Sequence, residues 1–314
     1  MALDYGGGVR GRSFGLVLHP VRDVGGEVRT IVSWAREHGA EVVGLASDAA
    51  RLGEGVAPLA PEDFVARCDA VISLGGDGTM LGALRLLIGS EVPVLGVNLG
   101  HLGFLVELEP RELPGGLARL AAGDFTVEPH SCLRISGPGL RAVAFNDLAL
   151  TRTPGLGSAS ASLAVDGHRM GYYRCDALVL STPTGSTAYN YAAGGPVVSP
   201  AADSFLVTPV APMSGISRTL VLGTEESVRL ELLANSGRLV AEVDGTVGGQ
   251  LEPGASVDVR VERAAGHVIR LDAQGHGRRS RVKLSLLDLP LLPEEMRERL
   301  LQELLRGEPT SGTR

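Results

Sequence analysis

The sequence predicts an α/β domain on a parallel sheet, then a mostly antiparallel β domain, then a terminal helix. Three observations predict this. Strand-like and helix-like segments alternate through residues 1–126, which implies βαβ units. From 127 to 289, short β-rich runs alternate with glycine or Asp-Gly turns. Within 290–314, Pro290 and Pro293 precede an apolar stripe of Met296, Leu300, Leu301, Leu304 and Leu305 that marks a helix, and 307–314 reads as a disordered tail.

Taken in order, residues 14–18 are apolar and read as the first strand, and 24–37 have the length and pattern of a helix. Residues 41–45, 70–74 and 92–97 give three more strands. The turn Gly75-Gly76-Asp77-Gly78-Thr79 follows the strand at 70–74 and leads into a helix over 81–87. In parallel sheets ligands bind outside the carboxyl ends of the strands, where this turn lies. No G-x-G-x-x-G follows the first strand, so the standard dinucleotide fingerprint is missing. The later β-like runs are 142–150, 162–165, 227–233, 239–243, 256–261 and 268–271. Asp166-Gly167 and Ser236-Gly237 read as hairpin turns between such runs.

The 314 residues allow one large domain or two ordinary ones, and 44% hydrophobic content permits a sizeable core. A net charge of -7 with no basic block excludes the positive footprint of non-specific nucleic-acid binding. An anionic small molecule in a local pocket remains open. Cys68, Cys132 and Cys175 are far apart, make no metal-ligand spacing, and fit a reducing cytoplasm. No apolar run reaches the roughly 18 residues of a membrane span. The N-terminus lacks a signal-peptide core, and Gly6-Gly7-Gly8 reads as a loose tail. The expectation is a cytoplasmic protein with neither membrane nor nucleic-acid partners.

The glycines at 75, 76 and 78 let a polyanion approach the backbone, and a helix N-terminus behind them offers unpaired N–H groups and a favourable dipole. Asp77 is the odd member, because a carboxylate repels phosphates. It calls for Mg²⁺ to hold or a proton to accept from a hydroxyl nucleophile. The bland alternative is a solvated Gly-Asp-Gly turn. A second motif runs from Asp176 through an apolar strand into Ser181-Thr182-Pro183-Thr184-Gly185-Ser186-Thr187-Ala188-Tyr189-Asn190. Its five hydroxyls suit ribose, phosphate and adenine edges, and ordinary N-capping explains only one or two of them. A third candidate is Phe145-Asn146-Asp147, where Asn and Asp are poor β formers. Alone it reads best as a bulge or Asx turn, just as Asp166-Gly167 and Asp244-Gly245 read as hairpin turns.

Gly75-Gly76-Asp77-Gly78-Thr79, Asn146-Asp147 and the Thr182–Asn190 motif, in this order and at these separations, resemble the bacterial NAD kinase family. Ala193-Gly194-Gly195-Pro196 and Pro209-Val210-Ala211-Pro212 extend the resemblance, which covers roughly residues 14–286. It implies a Rossmann-like α/β domain followed by a β-sandwich-type domain. It implies transfer of the terminal phosphate of ATP to the 2′-hydroxyl of the adenosine ribose of NAD. Asp77 inherits the role of general base, with Gly78 beside it. Asn146, Asp147, Arg174, Asp176, Thr184, Thr187, Ala188, Tyr189 and Asn190 inherit substrate contacts, with Ala211 and Thr246 as weaker carry-overs. The family also forms dimers and tetramers. This chain departs from its pattern at four places. Asp147 replaces the usual Glu, Met213 stands where His is common, Ala177 replaces a frequent Gly, and 152–160 lacks a basic residue near its end.

No carboxylate cluster suggests a tight metal site, so Mg²⁺ or another divalent cation is expected to arrive with ATP. Polyphosphate stays open as an alternative donor. Two rival readings share parts of the pattern: a lipid kinase of the diacylglycerol or sphingosine type, which has the Gly-Gly-Asp-Gly-Thr turn, and a non-catalytic NADP-binding sensor. The polar Thr182–Asn190 motif disfavours the first, and Asp77 the second.

Overall fold

The structure, a computed structural model, describes residues 13–100, 103–287, 293–296, 298–299 and 302. The expected tails at 6–8 and 307–314, and Leu300, Leu301, Leu304 and Leu305 of the terminal stripe, lie outside the described residues. Residues 294–296, 298, 299 and 302 are helical, and Met296 is half exposed. No helix among the described residues is long and apolar enough to cross a membrane.

Contacts gather the chain into two units. One holds the described residues up to Met80, Pro93–Glu128 and those from Val268 on; the other holds Leu81–Val92 and Pro129–His267. This division is interleaved, whereas the sequence reading drew three consecutive blocks ending at 126, 289 and 314.

The first unit contains β1 (Ser13–Leu18), α1 (Gly25–His38), β2 (Glu41–Leu45), α2 (Ala49–Leu52), β3 (Ala57–Leu59), α3 (Pro61–Arg67) and β4 (Ala70–Gly75). It continues with the start of α4 (Asp77–Leu86), then β5 (Val94–Asn98) and α5 (Leu113–Ala122). Its strands are parallel, in the order β3-β2-β1-β4-β5. This is the doubly wound order, which reverses direction between β1 and β4. Every residue of β1 and β4 is buried, as expected of central parallel strands covered on both faces. The core joins Phe14, Leu16, Ile72, Leu74 and Leu95 of the sheet to Val28, Ile31 and Ala35 of α1 and Leu113, Leu117 and Leu120 of α5. Burial at 28, 31 and 35 is the helical spacing that the pattern over 24–37 predicts.

The second unit is antiparallel; residues 126–128 of its first strand and 268–270 of its last are counted with the first unit. Its strands are β6 (Thr126–Gly137), β7 (Leu140–Ala144), β8 (Asp147–Arg152), β9 (Ala159–Val165), β10 (His168–Cys175), β11 (Ala177–Ser181) and β12 (Ser204–Val210). They continue with β13 (Ser214–Gly215), β14 (Leu220–Gly223), β15 (Ser227–Leu232), β16 (Leu239–Val243), β17 (Thr246–Leu251) and β18 (Ser256–Arg270), and a short helix α6 (Tyr189–Ala192) follows β11. One sheet runs β14-β12-β11-β8-β16-β17, and the other runs β13-β10-β9-β15-β18 with β6 and β7 added beside β18. Their inner faces share one core, with Leu148, Leu150, Leu178 and Leu180 from the first and Leu163, Val228, Leu230 and Val257 from the second. The unit is therefore a sandwich.

Several local expectations change. The run at 142–150 is two strands, broken at Phe145-Asn146, and the runs at 256–261 and 268–271 are one 15-residue strand. Asp166-Gly167 does close the β9–β10 hairpin, with both residues at positive φ. Ser236-Gly237 does not close a hairpin, because β15 and β16 belong to different sheets. After β18 the chain adds α7 (Ala273–Leu286), where the sequence reading continued the β region. Its sequence is polar and carries Gly275 and Gly277, so the helical pattern is weak.

Candidate active site

In the first unit the informative turn leaves the carboxyl end of β4, next to β1, at the point where strand order reverses. Gly75 is required there, since a Cβ would collide with the Thr79 side chain. Asp77 opens α4. Its Oδ2 accepts the Phe104 N–H at 2.8 Å and its Oδ1 the Leu105 N–H at 3.0 Å. Gly103 makes that wrap possible, because a Cβ on it would strike the Asp77 carboxylate. Lys283 Nζ of α7 lies 3.6 Å from Asp77 Oδ2 and 3.9 Å from the centroid of the Phe104 ring. The Asp77 side chain stays 28% exposed, and a Cβ at Gly76 or Gly78 would meet nothing within 4 Å. The helix start is thus open in front. A groove of about 710 Å³ lies at the ends of β1 and β5, lined by Arg22, Asp23, Asn98, Leu99 and Gly100 among others.

The loop between β5 and α5 and the helix α7 are locked by buried charge. Burial alone would raise the Glu107 carboxyl. Hydrogen bonds from His276 and the Asp272 N–H, with the charges of Arg270 and Arg279, outweigh it and hold the carboxyl below its ordinary value. Arg270 also donates to Glu128 at 2.6 Å and to the Leu105 carbonyl at 2.8 Å. The sequence reading missed this loop and Lys283. The signal for the loop was present: Asn98, Gly100 and Gly103 make a second glycine-rich turn after a strand.

In the second unit, Asn146 sits in the bend between β7 and β8, and Asp147 begins β8. Asp244, at φ 46 in the β16–β17 hairpin, organises both. Its fully buried carboxylate accepts the N–H groups of Phe145 (3.1 Å), Asn146 (2.7 Å) and Asp147 (3.1 Å) and pairs with Arg85 at 2.5 Å. The hairpin reading of Asp244-Gly245 is correct and incomplete, for the turn residue is also a brace. The Asp147 carboxyl is pushed up to about 7, first by burial, then by the charge of Asp244 and less by Glu242, while the Tyr189 N–H opposes.

The hydroxyl-rich motif is stapled to this bend. Thr182 donates to the Phe145 carbonyl at 2.7 Å, accepts from the Gly185 N–H at 3.0 Å, and its own N–H bonds the Asn146 carbonyl at 2.9 Å. A Cβ on Gly185 would collide with the Asn146 carbonyl. Ser181 donates to the Thr182 carbonyl, and Ser186 donates to the Pro183 carbonyl at 2.6 Å. Thr187 donates to the Thr184 carbonyl at 3.3 Å. Most of the five hydroxyls therefore make hydrogen bonds within the turn or to the adjoining bend. Thr184, Thr187, Ala188 and Tyr189 remain partly accessible. Asn190, expected at the substrate, is fully buried; its amide donates to the Ser186 and Pro196 carbonyls, and its oxygen accepts from Thr208 at 2.6 Å. It is a brace.

Arg174, Asp176 and Ala211 gather at the other end of β11. Asp176 pairs with Arg152 at 2.5 Å, its N–H bonds the Val210 carbonyl, and Arg174 donates to the Ser158 hydroxyl at 3.2 Å. Ala211 is exposed at φ 48, a region costly for a non-glycine residue. From Asp176 to Thr182 the strand advances about 20 Å. Within this unit the structure brings Asn146, Asp147, Thr184, Thr187, Ala188, Tyr189 and Thr246 to one end of the sheet, and Arg174, Asp176 and Ala211 to the opposite end.

The cysteines offer no nucleophile. All three are free and buried, and burial pushes each thiol up to about 12.

Comparison with known proteins bears on this geometry. The model of the ATP-NAD kinase N-terminal domain matches residues 56–125, and that of the C-terminal domain matches 145–271. An NAD kinase of Gemmatimonas aurantiaca is 40% identical over 222 residues, 69% of this chain and 77% of that protein. An NAD kinase of Heliobacterium modesticaldum is 39% identical over 228 residues, 70% and 81% respectively. Among solved structures, yeast NADH kinase complexed with NADH superposes with a TM-score of 0.72 at 24% identity, covering 82% of each chain. An Archaeoglobus fulgidus NAD kinase in complex with ATP gives 0.68 at 22% identity, covering 90% of this chain and all of that one. At these identities the two structures speak for the fold alone.

Proposed function

The chain belongs to the ATP-NAD kinase family, and on that premise we propose that Asp77 is the general base with which it phosphorylates NAD. The reaction is ATP-dependent. The 2′-hydroxyl of the adenosine ribose attacks the terminal phosphorus, the bond to the bridging oxygen breaks, ADP leaves, and the hydroxyl proton passes to Asp77. The products are NADP, ADP and a proton. A sugar hydroxyl is a weak nucleophile at neutral pH, so a carboxylate that takes its proton as the P–O bond forms lowers the barrier. The rest of phosphoryl transfer is placement and charge neutralisation.

The observation that carries this reading is the state of Asp77. Two backbone N–H groups fix its carboxylate, yet the side chain is part-exposed and the helix start before it is open. A carboxylate has about four lone-pair sites, so these contacts leave room for a proton. Helix α4 begins in this open turn, and a helix start suits phosphate charge. Gly78 belongs to that open edge.

Asn146, Asp147, Thr184, Thr187, Ala188, Tyr189 and Thr246 are the proposed substrate contacts at one end of the sandwich sheet, and Arg174, Asp176 and Ala211 are further ones at the other. Asp147 is one methylene shorter than the usual Glu, and its carboxyl stays buried beside Asp244, so its reach is short. Among the described residues no group of three or more His, Cys, Asp or Glu is placed to hold a metal ion. Mg²⁺, or another divalent cation, enters on the phosphates of ATP in this reading. A cytoplasmic homo-oligomer, dimer or tetramer, completes the reading, and light scattering checks the assembly.

The family match removes the lipid-kinase reading, and an intact Asp77 in an open turn speaks against a non-catalytic sensor. The direct test is NADP formation from NAD, ATP and Mg²⁺, followed by an NADP-specific dehydrogenase. The wild-type protein produces NADP. Asp77→Asn keeps its fold and loses roughly 10²–10⁴ in turnover. Near-normal turnover by that variant would remove Asp77 from the chemistry.

A further inference from the structure

We propose that Lys283 is a positioning residue for the catalytic base, setting the orientation of the Asp77 carboxylate and offsetting its charge against incoming phosphates. This rests on the reading of Asp77 as general base. Lys283 lies 206 positions after Asp77 in sequence, on α7, and its ammonium reaches to 3.6 Å from Asp77 Oδ2. It sits 3.9 Å from the centroid of the Phe104 ring, within range of a cation–π contact. Phe104 is also the residue whose N–H binds the same carboxylate oxygen. One loop residue thus holds both partners, the acid by its backbone and the cation by its ring.

The placement resists a reading as an ordinary surface pair. The Lys283 side chain is only 22% exposed. Burial lowers its pKa and Asp77 opposes that shift, so the carboxylate helps keep the ammonium charged. The helix that carries it is held by a network of its own, with His276 and Arg279 on Glu107 and the Asp272 N–H on the same carboxylate. Those groups, with Arg270 from β18, face Glu107. Lys283 is not needed to satisfy that network, and it points at the base instead.

The arrangement resolves a conflict that the turn creates. A carboxylate at a helix start built to receive phosphate charge repels that charge. An adjacent ammonium offsets the repulsion while the carboxylate keeps a lone pair for the ribose proton.

The test compares wild type, Asp77→Asn, Lys283→Met and Lys283→Arg in the NADP assay. Methionine keeps an unbranched stem over Phe104 and removes the charge; arginine keeps a cation. Lys283→Met is expected to lose roughly 10–100-fold in kcat while KM for NAD stays within about twofold and the melting temperature is unchanged. Lys283→Arg restores most of the rate. A Lys283→Met variant that keeps kcat within about twofold, or a loss that tracks melting temperature and is not restored by arginine, overturns the proposal. The two readings fail separately. If Asp77→Asn keeps its turnover, the base assignment falls; if it loses turnover while Lys283→Met does not, only the positioning role falls.

Discussion

Asp77 and Asp244 are wired alike and do different work. Each is a carboxylate at a glycine-flanked turn, each accepts backbone N–H groups from a distant segment, and each faces one basic side chain. Asp244 has three N–H donors and Arg85 at 2.5 Å, and its side chain is fully buried. Asp77 has two donors and Lys283 at 3.6 Å, and it stays 28% exposed in front of an open helix start. Backbone capture of an acid is therefore not by itself a sign of chemistry. What separates the brace from the candidate base is a free lone pair and the space in front of it.

The same isosteric change at both positions breaks the comparison open. Asp77→Asn is expected to cost roughly 10²–10⁴ in turnover with little change in melting temperature. Asp244→Asn places an amide NH₂ against a backbone N–H or Arg85 and leaves a buried partner uncompensated. Its expected cost is about 3 kcal/mol of stability, with activity lost only as the protein unfolds. Thermal melting and initial rates on both variants decide the matter. Equal effects of the two substitutions on both measurements would erase the distinction.

Asp147 sharpens it, since Asp244 also acts as a charge on its neighbour. The Asp147 carboxyl is raised to about 7, chiefly by burial and then by Asp244. A raised carboxyl contributes stability that is fully present below its unfolded value near 4 and is lost as pH rises through about 7. Asp147→Asn removes that dependence. Its melting temperature should match wild type near pH 4, gain on it between pH 4 and 7, and hold a constant advantage above, on the order of a few kcal/mol at most. A parallel pair of melting curves across this range would show that Asp147 titrates as an ordinary surface acid.

These contrasts also show which parts of the molecule were legible in the sequence. The parallel strands were, because buried central strands are continuous apolar runs, as at residues 70–74. The turn at Gly75 was, because only glycine fits against Thr79 there. The brace was not: Asp244-Gly245 has the composition of any hairpin turn, and its three acceptor contacts come from residues about a hundred positions earlier. The density of hydroxyls at 181–187 was visible, but their internal hydrogen bonds were not, since a tight turn beside a strand break takes up most of them. The internal partners of Asn190 were hidden for the same reason. Helix α7 was hidden because buried charge pairs on Glu107, rather than an apolar stripe, hold it in place. Lys283 was hidden with it.

The smallest expected effect on stability is at Asp176, and it isolates binding from folding most cleanly. Asp176 pairs with Arg152 at 2.5 Å, but both side chains are more than a third exposed. An exposed pair of this kind is worth about 0–1 kcal/mol, because solvent screens it and two side chains must be ordered to form it. Asp176→Asn keeps the shape and should leave the melting temperature nearly unchanged. If Asp176 touches the substrate, the same variant raises KM for NAD, roughly tenfold for one lost charge-assisted hydrogen bond. An unchanged KM would leave Asp176 as a partner of Arg152 and remove it from the substrate contacts of the second unit.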